Sequence, residues 1–138
     1  MARGTVRWLV LALWGAGALA ACGRAPEPPE SPTAIAIRTA PPERVFQGTL
    51  AGVPLHLVVH DCEVFRVEHR TGEAVEWTRV LAPDSYPFFT SCERQSLVFE
   101  QGALTATLGR RAFGAGGCCA TGGTYRSTDG QHWTRRDR

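Results

Sequence analysis

The stretch PLHLVVHDCEVFRVEHR (54–70) decides the fold. Its two halves, PLHLVVH (54–60) and CEVFRVEHR (62–70), are rich in β-branched and aromatic residues that tend to alternate with polar ones. A period of two residues is typical of β-strands, whereas a helix would repeat every 3.6 residues. Val64 is an apolar residue that fits this alternation badly. The pattern predicts two neighbouring strands.

The same pattern extends over the rest of the chain. Short connections such as Gln101-Gly102 suit β-hairpins. We therefore predict an all-β fold, a small antiparallel β-barrel or sandwich of about eight strands, formed by a single domain over residues 34–138. The further predicted strands are AIAIR (34–38), RVFQGTL (44–50), AVEWTRVL (74–81), SLVFE (96–100), ALTATLG (103–109), GTYRS (123–127) and HWTRR (132–136).

The N-terminus has the features of an export signal. Arg3 and Arg7 precede an apolar run from Trp8 to Ala21. A helix of that length rises roughly 21 Å and is too short for the hydrocarbon core of a membrane, which is roughly 30 Å thick. Residues 1–21 are therefore predicted to be a signal peptide.

The end of this run, LAAC (Leu19–Cys22), resembles the bacterial lipobox. The resemblance implies that the Cys22 thiol is joined to a diacylglycerol, that lipoprotein signal peptidase cuts before Cys22, and that the new amine is acylated. Gly23, which stands where an Asp would retain such proteins at the inner membrane, implies transfer to the outer membrane. We expect a protein held by lipid in the bacterial envelope and facing the periplasm.

The stretch that follows the lipobox is rich in proline. Together with Cys22, GRAPEPPESPT (23–33) forms a predicted tether, because its prolines favour an extended polyproline II conformation. Loss of Arg3 and Arg7 with the signal peptide leaves 13 arginines against 13 acidic residues. The mature chain thus has no cationic excess to bind nucleic acid.

The four remaining cysteines, Cys62, Cys92, Cys118 and Cys119, form an even set once Cys22 is lipidated, which predicts two disulfides in an oxidising compartment. If Cys118 and Cys119 are extended, their side chains point to opposite faces and bridge to Cys62 and Cys92, the arrangement we favour. The other arrangement pairs Cys62 with Cys92 and joins Cys118 to Cys119.

In a third alternative the cysteines form no disulfides, and their free thiols serve a metal or redox module. His60 and Cys62 lie on one face of the predicted strands, His56 lies on that face too, and with Cys118 and Cys119 they offer soft to borderline ligands for copper or zinc. Their spacing matches no standard ligand pattern, and we expect no resident metal or cofactor. GAGGCCATGG (114–123) lacks the lysine and the following helix of a phosphate-binding loop.

The segment YRSTDGQHW (125–133) resembles the Asp-box hairpin of sialidases and related β-propellers, in a form with Gly directly after Asp. The resemblance implies folding roles: with Ser127 in the motif, Asp129 accepts hydrogen bonds from turn amides, Gly130 supplies a positive φ and Trp133 packs inward. About 105 residues cannot close a propeller, so no glycosidase activity is implied.

An aromatic loop, APDSYPFFTSC (82–92), places Tyr86, Phe88 and Phe89 close together. These rings either cover the open end of a barrel, which we expect, or form a contact for a partner.

No catalytic motif such as G-x-S-x-G or H-E-x-x-H is present. We expect a noncatalytic module that binds a protein or glycan in the periplasm, and small lipid-anchored lysozyme inhibitors are similar to it in outline only. The alternatives are the metal or redox module, with His60, Cys118 and Cys119, and an inhibitor of a periplasmic enzyme.

Overall fold

The structure, a computed structural model, describes residues 30–70, 75–114 and 116–136. The predicted signal peptide, the lipidation site Cys22 and the tether up to residue 29 lie outside the described residues.

The described chain forms two antiparallel sheets of four strands each, in the orders β1-β2-β3-β4 and β5-β6-β7-β8. The prediction of an all-β fold of about eight strands is confirmed. The two sheets do not close into a barrel, and the architecture is a sandwich. The strands are β1 (Val45–Leu50), β2 (Val53–His60), β3 (Glu63–His69), β4 (Val75–Leu81), β5 (Thr90–Glu100), β6 (Ala103–Ala112), β7 (Thr121–Ser127) and β8 (Thr134–Arg135), preceded by a helix α1 (Pro32–Arg38) and a single 3₁₀ turn (Pro42–Arg44).

Two-residue turns fix the register of the hairpins. Gln101 and Gly102 both have positive φ, 50° and 72°, and join β5 to β6 as the sequence predicts. Ala51 and Gly52 join β1 to β2 in the same way, with φ of 49° and 78°. Two consecutive positive φ values give the turn a twist that matches that of the strands it connects.

The main core lies between the two sheets. Leu57 of β2 and Leu104 of β6 are fully buried, and each such side chain contributes about 1.5–3 kcal/mol through the hydrophobic effect. The side chains of this core are Leu50, Leu55, Leu57, Val59, Cys62 and Val64 from the first sheet, and Leu97, Leu104, Ala106, Leu108 and Tyr125 from the second.

A short helix covers the other face of the first sheet, where the sequence analysis predicted a strand over 34–38. That prediction is wrong. The Ser31 side chain accepts a hydrogen bond from the amide of Ala34, and Pro32 occupies the start of the helix, two features that favour helix initiation. The helix begins at Pro32.

The helix explains the irregular pattern at Val64. Val64 belongs to the core between the sheets, whereas Val67 packs with Ile37 of the helix on the opposite face. Strand β3 is thus apolar on both faces, and both faces are covered.

The disulfides follow the second of the arrangements considered. Cys62 is bonded to Cys92, with a Cα–Cα distance of 5.4 Å, and Cys118 is bonded to its neighbour Cys119 across a cis peptide bond. The favoured crossed arrangement is wrong. The crossed arrangement requires an extended Cys118-Cys119 pair, whereas the two residues lie in an irregular segment between β6 and β7.

Candidate functional site

Four aromatic residues gather at one end of the second sheet. The loop between β4 and β5 carries Tyr86, Phe88 and Phe89, and Phe113 directly follows β6. The amide of Phe113 donates a hydrogen bond of 3.2 Å to the carbonyl of Phe89, which extends the β5–β6 ladder by one step. We call these four residues the aromatic edge.

The rings of the aromatic edge are exposed. Phe88, Phe89 and Phe113 are 71%, 86% and 70% exposed, and Tyr86 stacks edge-to-face on Phe88 with ring centroids 5.9 Å apart. The expectation that the loop covers the open end of a barrel is therefore wrong. An open sandwich has no such end to fill, and the rings form an apolar surface of the kind that marks interaction sites.

The loop that carries the aromatic edge is held at both ends. Its Asp84 carboxylate lies 3.4 Å from the guanidinium of Arg135 in β8. Beyond the loop, Cys92 of β5 is joined to Cys62 at the β2–β3 turn. Arg111 and Glu93 form an ion pair of 3.1 Å on the adjacent strands. The aromatic edge is thus an apolar patch that lies near charged groups and is supported by the strands of the second sheet.

The β7–β8 turn contains the residues of the Asp-box resemblance. The Ser127 hydroxyl accepts a 2.8 Å hydrogen bond from the amide of Gly130, and Asp129 Oδ1 accepts hydrogen bonds of 2.8 Å from the amides of Gln131 and His132. Gly130 has a φ of 75° and is buried against Leu55 of the first sheet. The turn therefore closes one side of the sandwich.

Trp133 and Asp129 complete this turn. Trp133 is half-buried and packs against the main core, and its indole nitrogen is buried without a hydrogen-bond partner among the described residues. The Asp129 pKa lies well below its ordinary value, because the side chain of His132 and then the backbone amides bind the carboxylate. His132 Nδ1 is 2.6 Å from Asp129 Oδ2.

The vicinal disulfide rests on a glycine. A β-carbon at Gly109 of β6 would collide with Cys119 Sγ, and the Gly109 carbonyl lies 3.3 Å from Cys62 Sγ. The backbone of β6 thus lies against sulfur atoms of both disulfides. Cys119 also lines a groove of about 420 Å³ together with Arg94, Thr121 and Arg136.

The metal site considered from the sequence is not assembled. Cys118 and Cys119 are bonded to each other, so neither offers a thiolate, which is the metal-binding form of cysteine. Within ranges 30–70, 75–114 and 116–136, no three His, Cys, Asp or Glu side chains are placed to share an ion, and His60 therefore belongs to no such group.

Sequence reasoning missed a cavity of about 670 Å³ between α1 and the first sheet, with the side chains of His56 and His69 among its lining. Desolvation by burial, and secondarily the neighbouring His69, lowers the pKa of His56. His56 and His69 are 13 residues apart on different strands, so only the β2–β3 register brings them together. The period-two pattern alone could have indicated that both point away from the main core, but not that they meet.

The chain matches no known protein-family model, no curated protein and no solved structure. In the part of the chain that the structure describes, no helix is long and apolar enough to cross a membrane.

Proposed function

We propose that this protein is a lipid-anchored lipoprotein of the bacterial envelope, facing the periplasm, whose β-sandwich is a noncatalytic binding module. The anchor rests on the lipobox at Cys22. The binding role rests on one observation, the exposure of the phenylalanine rings of the aromatic edge.

The chemistry of the aromatic edge favours a protein partner over a glycan. Phe88, Phe89 and Phe113 have no polar group to hydrogen-bond sugar hydroxyls, whereas buried aromatic anchors dominate the energetics of protein interfaces. Nearby charges that already pair with each other, such as Arg111 with Glu93, fit the polar rim of such an interface. An inhibitor of a periplasmic enzyme is a special case of this proposal, in which the partner is the enzyme.

Photo-crosslinking in intact cells tests the binding role. A benzophenone amino acid replaces Phe89 in one variant and Val98, a 44% exposed residue of β5, in a matched control. We expect one discrete adduct from position 89 and none from position 98. Adding Phe88→Ser and Phe113→Ser should abolish the adduct without lowering the melting temperature. An adduct that survives both serine substitutions would overturn the proposal.

Intact-mass spectrometry tests the anchor separately. We expect the wild-type chain to begin at Cys22 and to carry diacylglycerol and an N-linked acyl group, and the Cys22→Ser variant to lack both additions. A wild-type chain with an unmodified Cys22 thiol would contradict the anchor while leaving the binding role intact.

A further inference from the structure

The cavity between α1 and the first sheet has an apolar floor and a polar rim. Ile37 of the helix, Val45 of β1, and Val67 and Trp77 of β3 and β4 line it, whereas His56 and His69 carry ring nitrogens to it. A mostly apolar cavity with a few convergent polar groups is the usual form of a ligand site.

The two imidazole rings present their nitrogens to each other. His56 Nδ1 and His69 Nε2 are 3.3 Å apart, while the ring centroids are 5.5 Å apart and the ring planes lie within 14° of parallel. Since the nitrogens are much closer than the centroids, the rings meet edge to edge and do not stack face to face. Each nitrogen that faces the other carries either the ring proton or a lone pair.

This separation suits two ligands of one metal ion. Bonds of about 2.0–2.1 Å from zinc to imidazole nitrogen, at a tetrahedral angle, place the two nitrogens about 3.3–3.4 Å apart. A turn of each ring by roughly 35° about its facing nitrogen would point both lone pairs at a common ion held at a tetrahedral angle. The strands that carry the rings are adjacent and antiparallel, so both rings are mounted on regular strands.

We propose that His56 and His69 together bind a single divalent transition-metal ion, Zn²⁺ or Cu²⁺, at the rim of this cavity. Neutral imidazole is a preferred ligand of both ions, and Cu²⁺ binds such nitrogen sites more tightly than Zn²⁺. Among the described residues no third His, Cys, Asp or Glu completes the set, so the remaining positions on the ion are open to water or to a small ligand in the cavity. Glu30, which also lines the cavity, is paired with Arg38.

Titration of the purified protein with Zn²⁺ or Cu²⁺ alone tests the site. We expect one saturable ion per chain, a higher melting temperature with Zn²⁺, and a Cu²⁺ electron paramagnetic resonance spectrum split by two imidazole nitrogens. His69→Gln, at an exposed position, should weaken binding at least about tenfold without altering the fold, and His56→Gln should do the same.

His60→Gln and His132→Gln are the matched controls, because neither residue belongs to the pair. Both should bind the ions as the wild type does. The proposal is overturned if the wild type shows no saturable binding, if the spectrum shows a single imidazole, or if the control substitutions weaken binding as much as His69→Gln. In those cases the two histidines form only a direct nitrogen-to-nitrogen hydrogen bond.

Discussion

Cys119 Sγ lies over the position that a β-carbon on Gly109 would occupy, so the vicinal disulfide packs directly on the backbone of β6. On the same strand, the Gly109 carbonyl is 3.3 Å from Cys62 Sγ. The vicinal disulfide therefore depends on the absence of a side chain at this strand position, a constraint that the spacing of the cysteines does not reveal.

Gly109→Ala should accordingly lower the free energy of unfolding by about 1–3 kcal/mol, the usual cost of forcing extra atoms into a packed site. Denaturant unfolding measures this loss. Gly116→Ala is the control, because a β-carbon there meets nothing within 4 Å, and it should unfold as the wild type does. Equal stability of the two variants would contradict the packing of Cys119 on β6.

The two disulfides should contribute very differently to stability. The Cys62–Cys92 bond spans 30 residues, and its loss in a Cys62→Ala, Cys92→Ala variant should cost about 3–4 kcal/mol by the chain-entropy argument. The Cys118–Cys119 bond closes no loop of intervening residues, so Cys118→Ala with Cys119→Ala should cost far less. Thermal unfolding of the two variants compares them. Equally large losses from both variants would instead indicate the crossed pairing, because each variant would then remove one cysteine from both crossed bonds.

The local pattern of the sequence predicts most of the sandwich. Alternation identifies seven of the eight strands closely enough to place β1 to β4 and β6 to β8, and the Gln101-Gly102 turn is correctly assigned. Strand β5 begins at Thr90, six residues before the predicted start at 96. The prediction misses this first part because charged Glu93 and Arg94 interrupt the alternation, at an irregularity in the β5–β6 register. The alternation is a local property of the sequence, whereas the strand continues past the two charged residues because it pairs with β6 on both sides of them.

The features that the sequence did not predict depend on tertiary contacts. The isoleucines at every second position of AIAIR suggest a strand. The cap at Ser31 and the apolar face of the first sheet, on which Ile37 packs, instead favour a helix. The exposure of Phe88 depends on whether the sheets close, and the meeting of His56 with His69 depends on strand register. None of these is encoded in a short window of residues.

The stability of the β7–β8 turn should depend on acid pH through Asp129. Its pKa is lowered in the folded state, so the stabilisation is complete above the unfolded pKa of about 3.9 and is lost as pH falls below it. Asp129→Asn should therefore cost about 1 kcal/mol at neutral pH, a value kept low by solvent exposure of the carboxylate.

The difference between wild type and Asp129→Asn should shrink as pH falls below about 4, and denaturant unfolding at several pH values measures it. A direct check is an NMR titration of the Asp129 carboxyl carbon. A difference that stays constant down to pH 2 or so would mean that the charge on Asp129 does not support the turn.

The helix α1 provides a test in which two residues of one type serve as variant and control. Ile37 is 5% exposed and packs with Val58 and Val67, whereas Ile35 is 43% exposed. In a strand, residues two apart share a face and the two substitutions would have similar effects, but in a helix they point about 160° apart. Ile37→Ala should lower the free energy of unfolding by about 2–4 kcal/mol, whereas Ile35→Ala should change it by less than about 0.5 kcal/mol. Chemical denaturation measures both. Equal losses at both positions would favour a strand over residues 34–38 and would contradict the packing of Ile37 over the histidine cavity.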